Sequence, residues 1–156
     1  MQTLDVEELS LVDASRLLNS GSLTSESLVN QYLERIARLD KNGPCLSSVI
    51  ELNPDALSLA KKLDEERLKH GSRGPMHGAP ILIKDNIDTA DRMQTTAGSL
   101  ALIGNRPVND AFLVRKLRQA GAIILGKTNL NEWSNGRGLH SVGGWSSRGG
   151  LTKNPY

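Results

Sequence analysis

The chain has 156 residues, enough to bury a core, and it contains 19 Lys and Arg residues and 17 Asp and Glu residues. The resulting net charge of +2 argues against a basic nucleic-acid-binding tail or an acidic disordered tail. A single cysteine, Cys45, excludes an internal disulfide scaffold. No apolar run approaches the roughly 18 residues of a membrane span, and the start lacks a signal-peptide pattern. We therefore expect a cytoplasmic globular protein without nucleic-acid or membrane partners.

The first third of the chain is predicted to be helical. An incomplete helical period of apolar residues runs from Leu9 to Leu18 and stops at residues 19–21. Thr24 can cap a second helix, whose apolar face extends from Leu28 to Leu39.

A short strand and a third helix are predicted next. The strand covers Leu46 to Leu52, where Val49 and Ile50 stand together. Asn53 resembles a helix N-cap with Pro54 in the first helical position, and the helix ends at Gly71.

Two buried strands joined through a helix are predicted in the centre. The first is Pro80 to Ile87 and the second Ala122 to Leu125, both with consecutive apolar residues. Asn109 can cap the intervening helix, with Gly121 at its C′ position. This alternation is typical of a parallel sheet in an α/β protein.

The last segment is rich in glycine, with six glycines within residues 136–150. It is either a linker or an ordered functional loop. Trp133 and Trp145 flank it, and because a linker rarely carries two tryptophans, we favour the ordered loop.

Lys84 is the strongest candidate for chemistry. It follows three apolar residues on a strand that the pattern predicts to be buried. One interpretation is a strand-end lysine that pairs with Asp85 or reaches water. The other is a desolvated lysine with a lowered pKa that acts as a general base. The residues alone leave both open.

Three blocks of sequence resemble the amidase signature family, in family order and at sensible intervals. They are Gly78-Ala-Pro-Ile-Leu-Ile-Lys-Asp-Asn86, Thr95-Thr-Ala-Gly-Ser99, and Gly121-Ala-Ile-Ile-Leu-Gly-Lys-Thr-Asn129 followed by Glu132. The later Trp133-Ser-Asn135 and Gly144-Trp-Ser-Ser-Arg-Gly-Gly150 runs, with Asn154-Pro-Tyr156, resemble the peptide amidase branch more than glutamyl-tRNA amidotransferase subunits.

The resemblance implies an α/β/α fold around a mixed sheet and hydrolysis of carboxamides by a Ser–cis-Ser–Lys triad. One serine attacks the amide carbonyl, and the second relays a proton between that serine and the lysine. By this resemblance Lys84 is the triad lysine, Asp85 and Asn86 hold local geometry, and no cofactor is needed.

The sequence departs from the family at its end, because the Gly/Ser-rich run that carries both triad serines should follow Tyr156. Ser146 and Ser147 belong to an earlier segment, so we expect them to form loop hydrogen bonds. We therefore expect an N-terminal portion of one amidase domain with an incomplete core. Its segments would be helical (1–45), α/β (46–134) and Gly-rich loop (135–156).

Two functions follow from this expectation. The full-length relative would hydrolyse a small amide or a C-terminal peptide amide, whereas the isolated chain would be inactive. Alternatively, the chain is an inactive remnant or an interaction module that self-associates or pairs with a complementary C-terminal portion. His70, His77, His140 and Cys45 lack metal-ligand spacing. Salt bridges are the expected roles of Lys127, Arg137 and Arg148.

Overall fold

A computed structural model describes residues 6–135 and 142–156. Within them the elements are, in chain order, α1 (Leu11–Asn19), α2 (Ser25–Ile36), β1 (Val49–Leu52), α3 (Ala56–His70), β2 (Pro80–Lys84), α4 (Phe112–Gln119), β3 (Ile123–Thr128), β4 (Trp145–Ser146) and β5 (Gly150–Leu151). A π-helical turn, Ala37–Lys41, extends α2. The predicted α/β class is confirmed.

The three longer strands form one mixed sheet with β3 in the middle. Strand β1 is antiparallel to β3, whereas β2 is parallel to it, so the sheet order is β1-β3-β2. The mixed sheet implied by the resemblance is thus confirmed, and the parallel arrangement holds for β2 and β3. The short strands β4 and β5 form a separate antiparallel hairpin.

Helices cover both faces of β3. Successive side chains of the strand point to opposite faces, so each face packs against different helices. Ile123 and Leu125 pack with Val29 of α2 and with α3. On the opposite face, Ile124 packs with Ile83 of β2 and with Val114 of α4. A further cluster joins α1 to the start of α2.

The predicted helix ends at Thr24 and Gly121 are confirmed. The Thr24 hydroxyl accepts the backbone N–H of Ser27 at 3.0 Å, as an N-cap does. Gly121 follows α4 with a φ of +82°, the left-handed conformation that ends helices and favours glycine.

The predicted N-cap at Asn109 is wrong, and the one at Asn53 is right only in part. The Asn53 side-chain oxygen accepts the Asp55 N–H at 2.9 Å, as a capping residue does, but the N-cap position of α3 is Asp55. Asn53 is buried and also donates its side-chain amide to the Ile124 carbonyl at 2.7 Å, which fastens the chain to β3 before α3 begins. The cap of α4 is Ala111 rather than Asn109, because the Ala111 N–H donates to the Asp88 carbonyl at 3.0 Å and delays the helix.

The prediction that Pro80 to Ile87 forms a buried strand is also wrong in part. Strand β2 ends at Lys84, and it is an outer strand of the described sheet. Ile83 is buried, but Leu82 is 37% exposed. The central strand β3 instead is buried from Ile123 to Lys127.

No helix in residues 6–135 or 142–156 has the length and apolar character needed to cross a bilayer.

Candidate active site

Lys84 occupies the carboxyl end of β2, opposite Thr128 of β3. Ligands of open α/β sheets bind at this edge, where the carboxyl ends of strands leave a crevice. The Lys84 side chain is exposed. Of the two environments that the residues allowed for Lys84, the described residues, 6–135 and 142–156, thus form the one in which the lysine reaches water.

Asp85 follows Lys84 and is fully buried. Its carboxylate oxygen Oδ2 accepts hydrogen bonds from the Thr96 hydroxyl and from the Gly98 N–H, the latter at 3.2 Å. Its backbone carbonyl accepts the Ala97 N–H at 3.0 Å. Asp85 therefore fastens the loop of residues 96–98 to the end of the sheet directly beside Lys84, as expected of a residue that holds local geometry.

Residues in the left-handed region surround the exit of β2. Ala97 has a φ of 49°, and Trp133, Ser134 and Asn135 have φ values of 54°, 58° and 71°. The Trp133 N–H donates to the Ala97 carbonyl, and the Asn86 side-chain amide donates to the Ser134 hydroxyl at 2.9 Å. Non-glycine residues keep this conformation where surrounding contacts fix it, frequently at functional sites.

Arg148 joins the β4–β5 hairpin to the sheet. Its Nη1 lies 3.4 Å from Asp85 Oδ2, and its Nη2 forms an ion pair with Glu51 of β1. Its backbone N–H donates to the Gly98 carbonyl at 2.9 Å. The salt-bridge role expected for Arg148 is confirmed.

Lys127 is the fully buried lysine of the described structure. Its Nζ donates to the Ile87 carbonyl at 2.6 Å and to the Thr95 hydroxyl at 2.9 Å. Burial lowers the pKa of Lys127, although the negative charge of Asp85 opposes this effect. Two neutral oxygen atoms thus take the place of the salt bridge that we expected.

Ser146 and Ser147 form hydrogen bonds of the loop, as predicted. The buried Ser146 hydroxyl donates to Asn129 Oδ1 at 2.6 Å and accepts the Gly149 N–H at 2.9 Å. The Ser147 hydroxyl donates to the Gly98 carbonyl at 3.3 Å. This network orders the loop in its described part, residues 142–156.

His77 has a structural role. The Leu63 carbonyl accepts from its Nε2 at 2.9 Å, and its Nδ1 accepts the Arg73 N–H at 3.0 Å. In the described part of the chain, no three His, Cys, Asp or Glu side chains are grouped as metal ligands. The candidates Arg137 and His140 lie outside the described residues.

Sequence reasoning missed the burial of Lys127 and the link between Asp85 and Arg148. A signal existed for Lys127, since only Gly126 separates it from an apolar run that ends at Leu125. The Asp85–Arg148 contact joins residues 63 positions apart, and no local pattern marks it.

A Lys-Asp-Asn turn at the edge of a mixed sheet, fastened by a Gly/Ser-rich loop, agrees with the family resemblance of the sequence. The Amidase family model matches residues 27–156. The chain belongs to the amidase family.

Individual relatives refine this assignment. The chain is 55% identical to the peptide amidase from Stenotrophomonas maltophilia, with a TM-score of 0.94 over 97% of this chain and 31% of that one. An amidase family protein from Bacillus anthracis is 36% identical, with a TM-score of 0.93 over 99% of this chain and 30% of that one.

A "probable amidase" of Arabidopsis thaliana is 46% identical over 99% of this chain and 30% of its own length. The chain thus spans about 30% of the length of this relative and of the two solved structures.

Proposed function

We propose that this chain forms the N-terminal portion of an amidase that hydrolyses a carboxamide, with Lys84 as its general base. One observation carries the proposal: the chain is 55% identical to the N-terminal portion of a peptide amidase, with nearly the same fold. The Lys84-Asp85-Asn86 turn at the carboxyl edge of the sheet supports it.

The proposed reaction uses two serines supplied by sequence beyond these 156 residues. The first serine oxygen attacks the amide carbonyl carbon, and its proton passes through the second serine to the neutral Lys84 amine. The C–N bond then breaks as the leaving nitrogen takes that proton back from Lys84 through the second serine, and an acyl-enzyme ester remains. Water hydrolyses that ester and restores the serine. Further chain that covers Lys84 would desolvate it, as a lysine base requires.

A C-terminal peptide amide is the proposed substrate, because the relative of 55% identity is a peptide amidase. This chemistry needs no cofactor. We propose that the 156-residue chain by itself is inactive, and measurable release of ammonia from a peptide amide by the purified chain would contradict this statement.

The test is a chimera in which this chain replaces the matching 31% of the Stenotrophomonas maltophilia peptide amidase. We expect the chimera to release ammonia from a C-terminally amidated peptide, and Lys84→Ala to reduce kcat by about 1,000-fold or more. Lys69→Ala, which also removes an exposed lysine, is the control and should keep full activity. Full turnover by the Lys84→Ala chimera would refute the assignment.

The exposure of Lys84 makes this test clean. Substitution of an exposed side chain changes the free energy of unfolding by about 0.5 kcal/mol or less, so Lys84→Ala should leave the stability of the 156-residue chain unchanged. Because the rest of the chimera would cover Lys84, urea unfolding of the chimera with and without Lys84→Ala accompanies the assay, and a loss of activity at unchanged stability reports on chemistry rather than on folding.

An inactive interaction module is the second candidate, favoured by apolar surface around the outer strand β2. Leu82 is 37% exposed. Beside it lies a groove of about 390 Å³ whose apolar lining is Tyr32, Ile36, Leu39, Leu46, Val49, Pro80, Leu82 and Leu125. This candidate predicts self-association, or pairing with a complementary C-terminal portion, in sedimentation velocity. It also predicts that the chimera is inactive, which separates the two functions.

A further inference from the structure

We infer that Arg148 is a positioning residue for the Lys84 site, an inference that rests on the proposed function. Arg148 would hold the β4–β5 hairpin and the loop around Gly98 against the carboxyl edge of the sheet. It acts through Asp85, whose backbone continues directly from Lys84.

The Arg148 side chain contacts three residues, two through Nη1 and one through Nη2. Its Nη1 contacts both Asp85 Oδ2 at 3.4 Å and the Thr96 hydroxyl at 3.2 Å. Its Nη2 pairs with Glu51 on the far strand β1. The planar guanidinium group can serve partners on two sides at once, which a lysine ammonium cannot do with the same geometry.

The three charged side chains are shielded from solvent, so water cannot readily replace these contacts if Arg148 is removed. The Arg148 side chain is 12% exposed, and the side chains of Asp85 and Glu51 are 0% and 18% exposed. Among the described residues, Asp85 Oδ1 has no hydrogen-bond partner, so Oδ2 carries the whole attachment of that carboxylate. Removal of Arg148 would leave two shielded carboxylates without their shared cation, and the Asp85 turn would have to move to regain solvent.

The chain offers a matched control in Arg118, which also bridges two carboxylates. Its side chain pairs with Asp91 at 2.6 Å and with Asp110 at 3.0 Å, and it is 27% exposed. Arg118 lies on α4, and neither of its carboxylate partners pairs with Arg148 in the part of the chain that the structure describes. Its removal therefore shows what the loss of an arginine ion pair does when Asp85 is not one of the partners.

Amide hydrogen exchange on the 156-residue chain tests the inference directly. We expect Arg148→Ala to speed exchange at the Gly98 N–H, which donates to Asp85 Oδ2, by about 10-fold or more beyond the global change in stability. Arg118→Ala should leave the exchange rate at the Gly98 N–H unchanged after the same correction for global stability. Arg148→Lys should give a rate between those of wild type and Arg148→Ala. Equal exchange at Gly98 in both alanine variants, after correction for global stability, would overturn the inference.

Kinetics of the peptide amidase chimera provide the catalytic readout. Arg148→Ala should lower kcat by about 10- to 100-fold with KM changed less than about 2-fold, because a misplaced base affects the chemical step. Arg148→Lys should recover part of the lost kcat, and Arg118→Ala should retain it. An unchanged kcat in Arg148→Ala would overturn the inference while Lys84→Ala still supports the proposed function. An active Lys84→Ala chimera would instead refute the function itself.

Discussion

Asp64 of α3 holds the first turn of α2, and its replacement by asparagine should destabilise the protein substantially. The two carboxylate oxygens accept the backbone N–H groups of Ser25 at 2.8 Å and of Glu26 at 3.0 Å. Arg67 donates to the same carboxylate at 2.7 Å, and the Asp64 side chain is only 18% exposed. Asparagine keeps one acceptor oxygen and no charge, so one helix N–H loses its partner.

The expected magnitude follows from these bonds. A hydrogen bond to a charged group contributes about 1.5–3 kcal/mol and a neutral one about 1 kcal/mol. Loss of one charge-assisted bond and weakening of the others predict that Asp64→Asn lowers the free energy of unfolding by about 2–4 kcal/mol at pH 7. Urea unfolding measures this difference. Glu65→Gln, an exposed carboxylate on the same helix, is the control and should change stability by about 0.5 kcal/mol or less.

The pH dependence gives a second check on the same variant. Burial raises the pKa of Asp64, but hydrogen bonds from Glu26, Ser25 and Arg67 outweigh it and lower the pKa below its ordinary value. The lowered pKa stabilises the fold above about pH 3.9, the unfolded value, and this contribution is lost as pH falls through the folded pKa. The difference between wild type and Asp64→Asn should therefore shrink from pH 5 towards pH 3. A difference below about 0.5 kcal/mol at pH 7, or one that stays constant down to pH 3, would refute the reasoning.

Two further predictions concern Gly121 and Lys127. Gly121→Ala should lower the free energy of unfolding by about 2–3 kcal/mol, because a Cβ there would lie 3.0 Å from His77 Cα and the residue has a φ of +82°. The control is Gly104→Ala, at a φ of +90° in open space, which should lower it by about 1 kcal/mol. Equal losses in urea unfolding would disprove the close-contact argument. Burial lowers the pKa of Lys127, so the unfolded chain binds more protons than the folded one between the folded pKa and about 10.4, the unfolded value. The stability of the wild type should therefore rise with pH in that window relative to Lys127→Met. A stability difference between the two proteins that stays constant up to pH 10 would contradict this.

Local signals were sufficient for the helix ends that depend on neighbours in sequence. Thr24 caps through a residue three positions on, and Gly121 ends α4 through its own backbone conformation. Asn53 makes a local bond of this kind to the Asp55 N–H, but its amide also donates to Ile124, 71 positions away. The sequence displays the local bond, but it does not display the distant partner that holds Asn53 at β3.

The order of strands accounts for which of the two lysines is buried. The pattern favours burial of Lys84, which lies within the predicted strand from Pro80 to Ile87, whereas Lys127 follows Gly126 beyond the strand predicted to end at Leu125. Because β3 lies between β1 and β2, the buried lysine is the one on β3, while the one on the outer strand β2 is exposed. Strand order is set by packing across the whole sheet, so it cannot be derived from either strand separately.

A bulge in β3 decides which face Lys127 occupies. Strict alternation would place it with Ile123 and Leu125, on the face that packs against α2 and α3. The register with β2 shifts at Leu125, so that Lys127 lies opposite Ile83, whose side chain packs with α4. Gly126 permits this, because a Cβ there would lie 2.5 Å from the Glu51 carbonyl.

The end of β2 places two charges in different environments. Lys84, its last residue, is exposed, while Asp85 in the turn that follows is buried among Thr96, Gly98 and Arg148. Apolar side chains of similar size would often stabilise a fold as well as buried ions do. Stability alone therefore does not explain the buried charges beside Lys84, and we propose that they fix the position of the backbone that carries the proposed base.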